Sequence, residues 1–254
     1  MNDEFYIGWE AKAPSAISRA ARKTICALFM VGIAASITFA AAQRMIGASA
    51  FEWGTQKTVS GVLRLSPYPY LLVARPGQVG PLDCFSTYCL VAPGKFGLSP
   101  GTLASLEGRV VSVKGTLIYR ESQTMLETKP DWIHLAEKSA GAEPPGATSL
   151  GKQTLVGEIV DSKCFFGVMN PGQLATHRAC AVRCISGGCP PVFLVREKDG
   201  RAVCFLLVSA AGKPVNQQVL GMVAEPLEMT GEVVRQGDLL ILKADPETYR
   251  KHRD

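Results

Sequence analysis

The longest hydrophobic stretch of the chain lies near its beginning. Residues 24–42 contain no charged side chain, and their hydroxyl groups come from a few threonines and serines. A helix of about 19 residues rises about 28 Å, which is close to the thickness of the hydrocarbon core of a bilayer. The pattern therefore predicts one transmembrane anchor over residues 24–42, preceded by a tail over residues 1–23.

The basic residues around this segment indicate its direction. Four lysines or arginines precede it, whereas Arg44 is the only basic residue between the segment and Lys57. Basic residues are retained on the cytoplasmic side of a membrane. We therefore expect a single-pass protein of a bacterial inner membrane, with a cytoplasmic N-terminus and most of the chain in the periplasm. A cleaved signal peptide ending at the small residues 40–42 is the alternative, and it leads to the same compartment.

Beyond the anchor, short hydrophobic runs alternate with polar positions and glycines, as in β-strands. A strand pattern around Gly61 recurs around Gly157, and a strand–turn–strand pattern over residues 111–127 recurs over residues 227–243. Two such strands joined by a short polar turn predict a β-hairpin. The recurrence predicts two similar, mainly β halves, of which the second carries the longer insertion.

The two halves are separated by a stretch with a different composition. Residues 138–152 are rich in alanine, glycine, serine and proline and show no hydrophobic period, so they predict a linker between domains 55–137 and 153–250. Closing short strands into a small barrel removes their unpaired edges. The order of strands and hairpins resembles an OB-fold in both halves. This resemblance implies a mainly β protein with two tandem OB-like barrels after the transmembrane helix.

Charge and motifs exclude several classes of function. The net charge is only +5, from 27 basic and 22 acidic residues without a concentrated basic stripe, so nucleic-acid binding is not expected. No Gly-x-Ser-x-Gly motif and no phosphate-binding loop is present. Asp161, beside Lys163, is expected to form a solvated turn pair rather than an acid–base group. The sequence favours a binding or accessory module over an enzyme.

Haem binding is not expected either. One helix followed by an OB-like barrel resembles, in layout, the haem chaperones of cytochrome c maturation. The haem-attaching histidine motif of that family has no match around His134, so this role does not follow from the resemblance. A c-type haem would need a Cys-x2-Cys-His motif, which the chain lacks.

The densest chemistry lies in an insert of the second half, over residues 164–191. A Pro-Gly turn is followed by residues 172–185, which predict a short helix that ends at a pair of glycines. On this helix His177, Cys180 and Cys184 share one face, because residues three, four and seven positions apart lie above one another.

Cys164 ends the preceding strand and can approach the same face of the helix. Together with Cys180, Cys184 and the imidazole of His177 it provides enough soft donors for a tetrahedral site, which suits Zn(II) or Cu(I). The Cys-x3-Cys spacing also resembles that of copper-handling periplasmic proteins, although the histidine and methionine that complete their sites are missing here. The sequence predicts a metal site for copper or zinc.

An oxidising compartment favours disulfides over metal binding for these cysteines, and His177 would then be a surface residue. The insert would then be stapled by pairs drawn from four residues: Cys164, Cys180, Cys184 and Cys189. Cys84 and Cys89 are close in a loop rich in proline and glycine and are predicted to form a disulfide. Cys204 lies in a hydrophobic run and is predicted to be an unreactive buried thiol.

These features predict a membrane-anchored periplasmic accessory or binding protein. It would bind a soft metal through the insert and support a membrane complex for redox chemistry or metal handling. The first alternative is a disulfide-stapled structural subunit of a membrane complex without metal. The second is a thiol redox enzyme that uses Cys180 and Cys184.

Overall fold

The computed structural model describes most of the chain, over residues 14–44, 49–75, 84–136, 146–197 and 201–252. It comprises two compact units, Met1–Gly47 and Ala48–Asp254. The first unit contains one helix, and the second contains two β-barrels with a short helix between two strands of the second barrel.

The first unit is the helix α1 (Ser15–Arg44), which includes the predicted span 24–42. Its apolar stretch has a mean hydropathy of 2.2. The hydroxyls of Ser36 and Thr38 donate to carbonyl oxygens four residues earlier, at 2.9 Å each, so these two polar groups are satisfied within the helix. By length and composition α1 could cross a membrane and anchor the protein.

Eight strands form the first barrel and its edges: β1 (Ser49–Phe51), β2 (Lys57–Arg64), β3 (Tyr70–Ala74), β4 (Phe85–Ala92), β5 (Phe96–Gly97), β6 (Val110–Arg120), β7 (Gln123–Glu127) and β8 (Ile133–Leu135). The barrel closes in the order β2–β3–β4–β7–β6 and back to β2. The β4–β7 pair is parallel, and the other neighbours are antiparallel. Leu63, Leu71, Leu90 and Leu126 fill its interior.

The second barrel repeats this connectivity with its own strands: β9 (Thr148–Asp161), β10 (Pro191–Arg196), β11 (Ala202–Val208), β12 (Leu227–Gln236), β13 (Leu239–Lys243) and the short β14 (Arg250–Lys251). It closes in the order β9–β10–β11–β13–β12 and back to β9, with a parallel β11–β13 pair. A helix, α2 (Leu174–Ser186), lies between β9 and β10. The predicted fold class, two OB-like barrels with a helix in the insert, is confirmed.

The paired glycines have the same role in both barrels. A Cβ at Gly61 would lie 2.3 Å from the carbonyl oxygen of Leu72 in the next strand. A Cβ at Gly157 would lie 2.3 Å from the carbonyl oxygen of Leu194. Only glycine allows the first strand of each barrel to approach its neighbour so closely.

The two barrels pack against each other through a shared hydrophobic cluster. The first barrel contributes Ile118 and Met125, and the second contributes Phe166 and Val192. Strand β9 begins at Thr148, which lies inside the predicted linker 138–152, and residues 137–145 are outside the described residues. The division of the chain into domains at that linker stays a prediction.

Candidate metal centre

The insert between β9 and β10 brings its cysteines together. After β9 the chain makes a wide helical turn over Cys164–Val168 and then enters α2. Cys180 and Cys184 are one turn apart on α2, so their side chains project from one face. The helix ends at Ser186 with Gly187 as its C-cap, and Cys189 lies two residues after this cap.

Three sulfur atoms form the centre of the cluster. The Sγ atom of Cys164 lies 3.8 Å from the Sγ of Cys180 and 3.8 Å from the Sγ of Cys184. All three Sγ atoms lie within 4.8 Å of one another. With Zn–S bonds of about 2.3 Å, the edge of a tetrahedral site is about 3.8 Å. The three predicted thiols are therefore spaced so that they could hold a metal ion.

Cys189 is a fourth thiol at the rim of this group. It is fully buried and packs against Cys164 and Cys184. Its backbone N–H donates to the carbonyl of Cys184 at 3.0 Å. The side-chain amide of Asn216 donates to the carbonyls of Cys189 at 2.9 Å and of Ile185 at 2.8 Å. These bonds hold the end of α2 and the chain that follows it in place.

His177 belongs to an overlapping group. Its Nε2 lies 3.1 Å from Oδ2 of Asp161, and Oδ1 of the same carboxylate accepts the backbone N–H of Cys164 at 2.8 Å. Potential ligand atoms of Asp161, Cys164 and His177 lie within 4.8 Å of one another. A carboxylate that binds one nitrogen of an imidazole fixes the orientation of the ring, as it does for many metal-ligating histidines.

Asp161 and Lys163 do not form a solvated turn pair, so that interpretation of the sequence is wrong. Asp161 is 0% exposed and Lys163 is 2% exposed. Burial raises the pKa of the Asp161 carboxyl above its usual value. The Lys163 ammonium forms an ion pair with Glu127 of the first barrel and donates to the carbonyls of Ala92 at 2.8 Å and Gly94 at 2.7 Å.

A lysine from the first barrel reaches the thiols. Lys95 lies in the turn between β4 and β5, and its Nζ is 2.7 Å from Sγ of Cys180 and 3.7 Å from Sγ of Cys184. The hydrogen bond to Cys180 is the main reason that the pKa of Lys95 is raised. An ammonium at this position stabilises negative charge on sulfur.

The thiols of the insert differ in acidity. The pKa of Cys184 is lowered, first because the thiols of Cys164 and Cys189 donate hydrogen bonds to its sulfur. The pKa values of Cys164 and Cys189 are raised for the complementary reason, with burial as the second cause. The cluster thus favours a thiolate at Cys184, surrounded by two thiol donors and the Lys95 ammonium, and thiolate is the form that binds metals.

The cysteines of the first barrel are arranged differently. No disulfide geometry is present among the described cysteines, including the predicted pair Cys84 and Cys89. Cys84 directly precedes β4 and Cys89 lies within it, so the extended chain separates their Cα atoms by about 15 Å, beyond the reach of a disulfide. Cys204 lies in β11 as expected, and burial raises its pKa to about 12.

Sequence reasoning missed Lys95 and misjudged Asp161. Lys95 lies in the first barrel, and its own neighbourhood contains no sign of a partner in the second. For Asp161 a local signal exists, because this charged residue directly follows the hydrophobic positions of Ile159 and Val160, both of which are buried. A charge at the buried end of a strand requires a partner within the fold.

Comparison of the chain with models of protein families, with curated proteins and with solved structures gives no match. The class of protein therefore has to be inferred from the barrels, the apolar helix and the thiol cluster.

Proposed function

We propose that this protein is a membrane-anchored accessory protein that binds one soft metal ion, copper or zinc, in the insert of its second barrel. Cys164, Cys180 and Cys184 are the proposed thiolate ligands, and His177 is the proposed fourth ligand. The spacing of the three sulfur atoms carries the proposal, because Sγ of Cys164 lies at the edge length of a metal–thiolate site from both other sulfurs and all three lie within 4.8 Å of one another.

The chemistry around the sulfur atoms supports the same proposal. A lowered pKa at Cys184 and the nearby ammonium of Lys95 favour the charged form that binds metal. The contact between Asp161 and Nε2 of His177 fixes the orientation of the imidazole ring, and His177 and the other two thiols share Cys164 as a common neighbour. Cys180 is only half-buried, so it offers a route by which an ion can enter from solvent.

The proposed location is the inner membrane of a bacterium, with the barrels in the periplasm. The apolar helix α1 and the excess of basic residues before it support this orientation. There, a bound soft metal would serve a membrane complex that handles metals or electrons. A reporter that is active only in the periplasm, fused after Asp254, should be active, and the protein should remain with the membrane after a high-salt wash.

Elemental analysis and counting of reactive thiols test metal binding. The full-length protein, purified in detergent without added metal, is expected to contain about one equivalent of copper or zinc. Cys164→Ser should remove the metal, because this residue contacts both other thiols. His177→Ala should weaken binding about tenfold or more. Cys204→Ser is the matched control, since this cysteine lies outside the cluster, and it should retain the metal.

The same distances favour a second candidate, a structural subunit stapled by disulfides. Cys164 is equally close to Cys180 and Cys184, so oxidation could join it to either. Metal-free protein with the insert thiols oxidised would contradict the metal-binding proposal and favour this candidate. Metal retained in Cys164→Ser would contradict the assignment of the ligands.

A further inference from the structure

The turn that carries Lys95 is fixed against the insert by contacts between backbones. The N–H of Gly97 donates to the carbonyl of Gly187 at 3.0 Å. A Cβ at Gly97 would lie 2.1 Å from the carbonyl oxygen of Gly188, and a Cβ at Gly187 would lie 2.0 Å from the carbonyl oxygen of Lys95. Contacts this close leave the turn little freedom to move along the insert. The packing of the two barrels therefore fixes the backbone position of Lys95.

The Lys95 side chain contacts the sulfur atoms rather than the packed backbone. Its Nζ is nearest to Cys180, and its second contact is with Cys184, two of the three proposed thiolate ligands. The ammonium of Lys163, by contrast, forms an ion pair with the Glu127 carboxylate and donates to two backbone carbonyls. The structure thus assigns one ammonium to holding the barrels together and a second one to the thiol cluster.

We infer that Lys95 makes the site select a monovalent soft cation, Cu(I), over the divalent Zn(II). The inference rests on the proposed function, since it concerns an ion bound among the same thiolates. A fixed positive charge beside the ligands repels a bound cation in proportion to the charge of that cation. The penalty for a divalent ion is therefore about twice the penalty for a monovalent one.

The effect of Lys95 on thiol acidity does not enter this comparison. Lys95 stabilises thiolates, which helps any cation that displaces the same protons. A change in thiol acidity alters the affinities for Cu(I) and Zn(II) by similar factors, whereas repulsion of the bound ion alters them by different factors. The ratio of the two affinities therefore isolates the charge of Lys95.

The measurement is a competition against chromophoric chelators, one for Cu(I) and one for Zn(II), under anaerobic conditions. It uses the full-length protein in detergent and three variants: Lys95→Gln, Lys95→Arg and the control Lys213→Gln, an exposed lysine outside the insert. In Lys95→Gln the ratio of Cu(I) affinity to Zn(II) affinity should fall on the order of tenfold, given the screening of an exposed charge. Lys95→Arg should restore the ratio, and Lys213→Gln should leave it unchanged.

The outcomes separate this inference from the proposed function. If the unaltered protein binds neither ion, the proposed function fails and this inference fails with it. If it binds both ions but Lys95→Gln leaves the ratio unchanged, the inference is overturned while the proposed function stands. If Lys95→Arg behaves like Lys95→Gln, the effect does not come from the charge, and the inference is overturned as well.

Discussion

The two barrels share their strand connectivity but differ in how their first two strands are joined. In the first barrel residues 65–69 join β2 to β3, whereas in the second residues 162–190 join β9 to β10 and carry α2 and four cysteines. A long connection costs a barrel little, because the entropy of closing a loop grows slowly with its length. The same framework can therefore stay compact in one copy and carry chemistry in the other.

The first barrel nevertheless contributes to the site of the second. The end of its strand β4 and the turn before β5 provide the ammonium of Lys95 and the carbonyls of Ala92 and Gly94 that bind Lys163. The wide turn of the insert packs against the first barrel in return, where the Arg120 guanidinium donates to the carbonyl of Phe165 at 2.6 Å. The first barrel therefore acts as a fixed support that supplies contacts to the insert of the second.

Removing the buried ammonium between the barrels should have the largest effect. Lys163→Met leaves the Glu127 carboxylate and two carbonyls without their partner in a buried region. We expect the free energy of unfolding to fall by about 4 kcal/mol, because breaking one side of a buried ion pair leaves the other charge uncompensated. Urea denaturation followed by circular dichroism measures the change.

Two further variants serve as controls for this measurement. Combining Lys163→Met with Glu127→Leu should recover part of the loss, since the unpaired charge is then removed. Arg201→Met, in an ion pair with Glu197 whose side chains are 75% and 43% exposed, should cost less than about 0.5 kcal/mol. Equal losses from Lys163→Met and Arg201→Met would show that the barrels do not depend on the buried pair.

A methyl group at the contact between the barrels should have the next largest effect. In Gly97→Ala the new Cβ would lie 2.1 Å from the carbonyl oxygen of Gly188, so the backbones must separate. We expect the free energy of unfolding to fall by about 3 kcal/mol. Gly101→Ala is the control, because its Cβ would meet only the Ser99 hydroxyl at 3.8 Å. If both variants lose the same free energy of unfolding, the close contact at Gly97 does not hold the barrels together.

The fold could be predicted because its signals are local. The hairpins are read from strands that adjoin short turns, and Gly61 and Gly157 mark equivalent close approaches in the two copies. The thiols Cys180 and Cys184 could be predicted for the same reason, since they lie one turn apart on a single helix.

The features that sequence reasoning did not predict correctly depend on distances in space rather than on distances along the chain. Cys84 and Cys89 are near in sequence, but the residues between them alternate as a strand should, and that strand holds them apart. Lys95 is far from the insert in sequence, and only the packing of two barrels brings it to the thiols. A single sequence holds no local record of such packing.

The smallest predicted effect is a loss of stability at alkaline pH that comes from the thiols between the barrels, Cys89 and Cys204. Burial raises the pKa of Cys89, and likewise that of Cys204, to about 12, whereas the pKa of Cys184 is lowered. Between about pH 9 and pH 12 the unfolded chain loses protons that folded Cys89 and Cys204 keep, so stability is complete below about pH 9 and falls as the pH rises. At pH 10 each of the two thiols should cost about 1.4 kcal/mol.

Urea denaturation of the reduced, metal-free protein at pH 8 and pH 10 measures this effect. The double variant Cys89→Ala, Cys204→Ala starts less stable because it loses buried atoms, but its stability should fall by about 2.7 kcal/mol less between the two pH values. Cys184→Ala should not reduce the alkaline loss, since a thiol with a lowered pKa is already ionised in the folded state at pH 8. An equal alkaline loss in the double variant and the unaltered protein would mean that Cys89 and Cys204 ionise as readily when folded as when unfolded. The contrast between the inert thiols of Cys89 and Cys204 and the ionised thiol of Cys184 would then be lost.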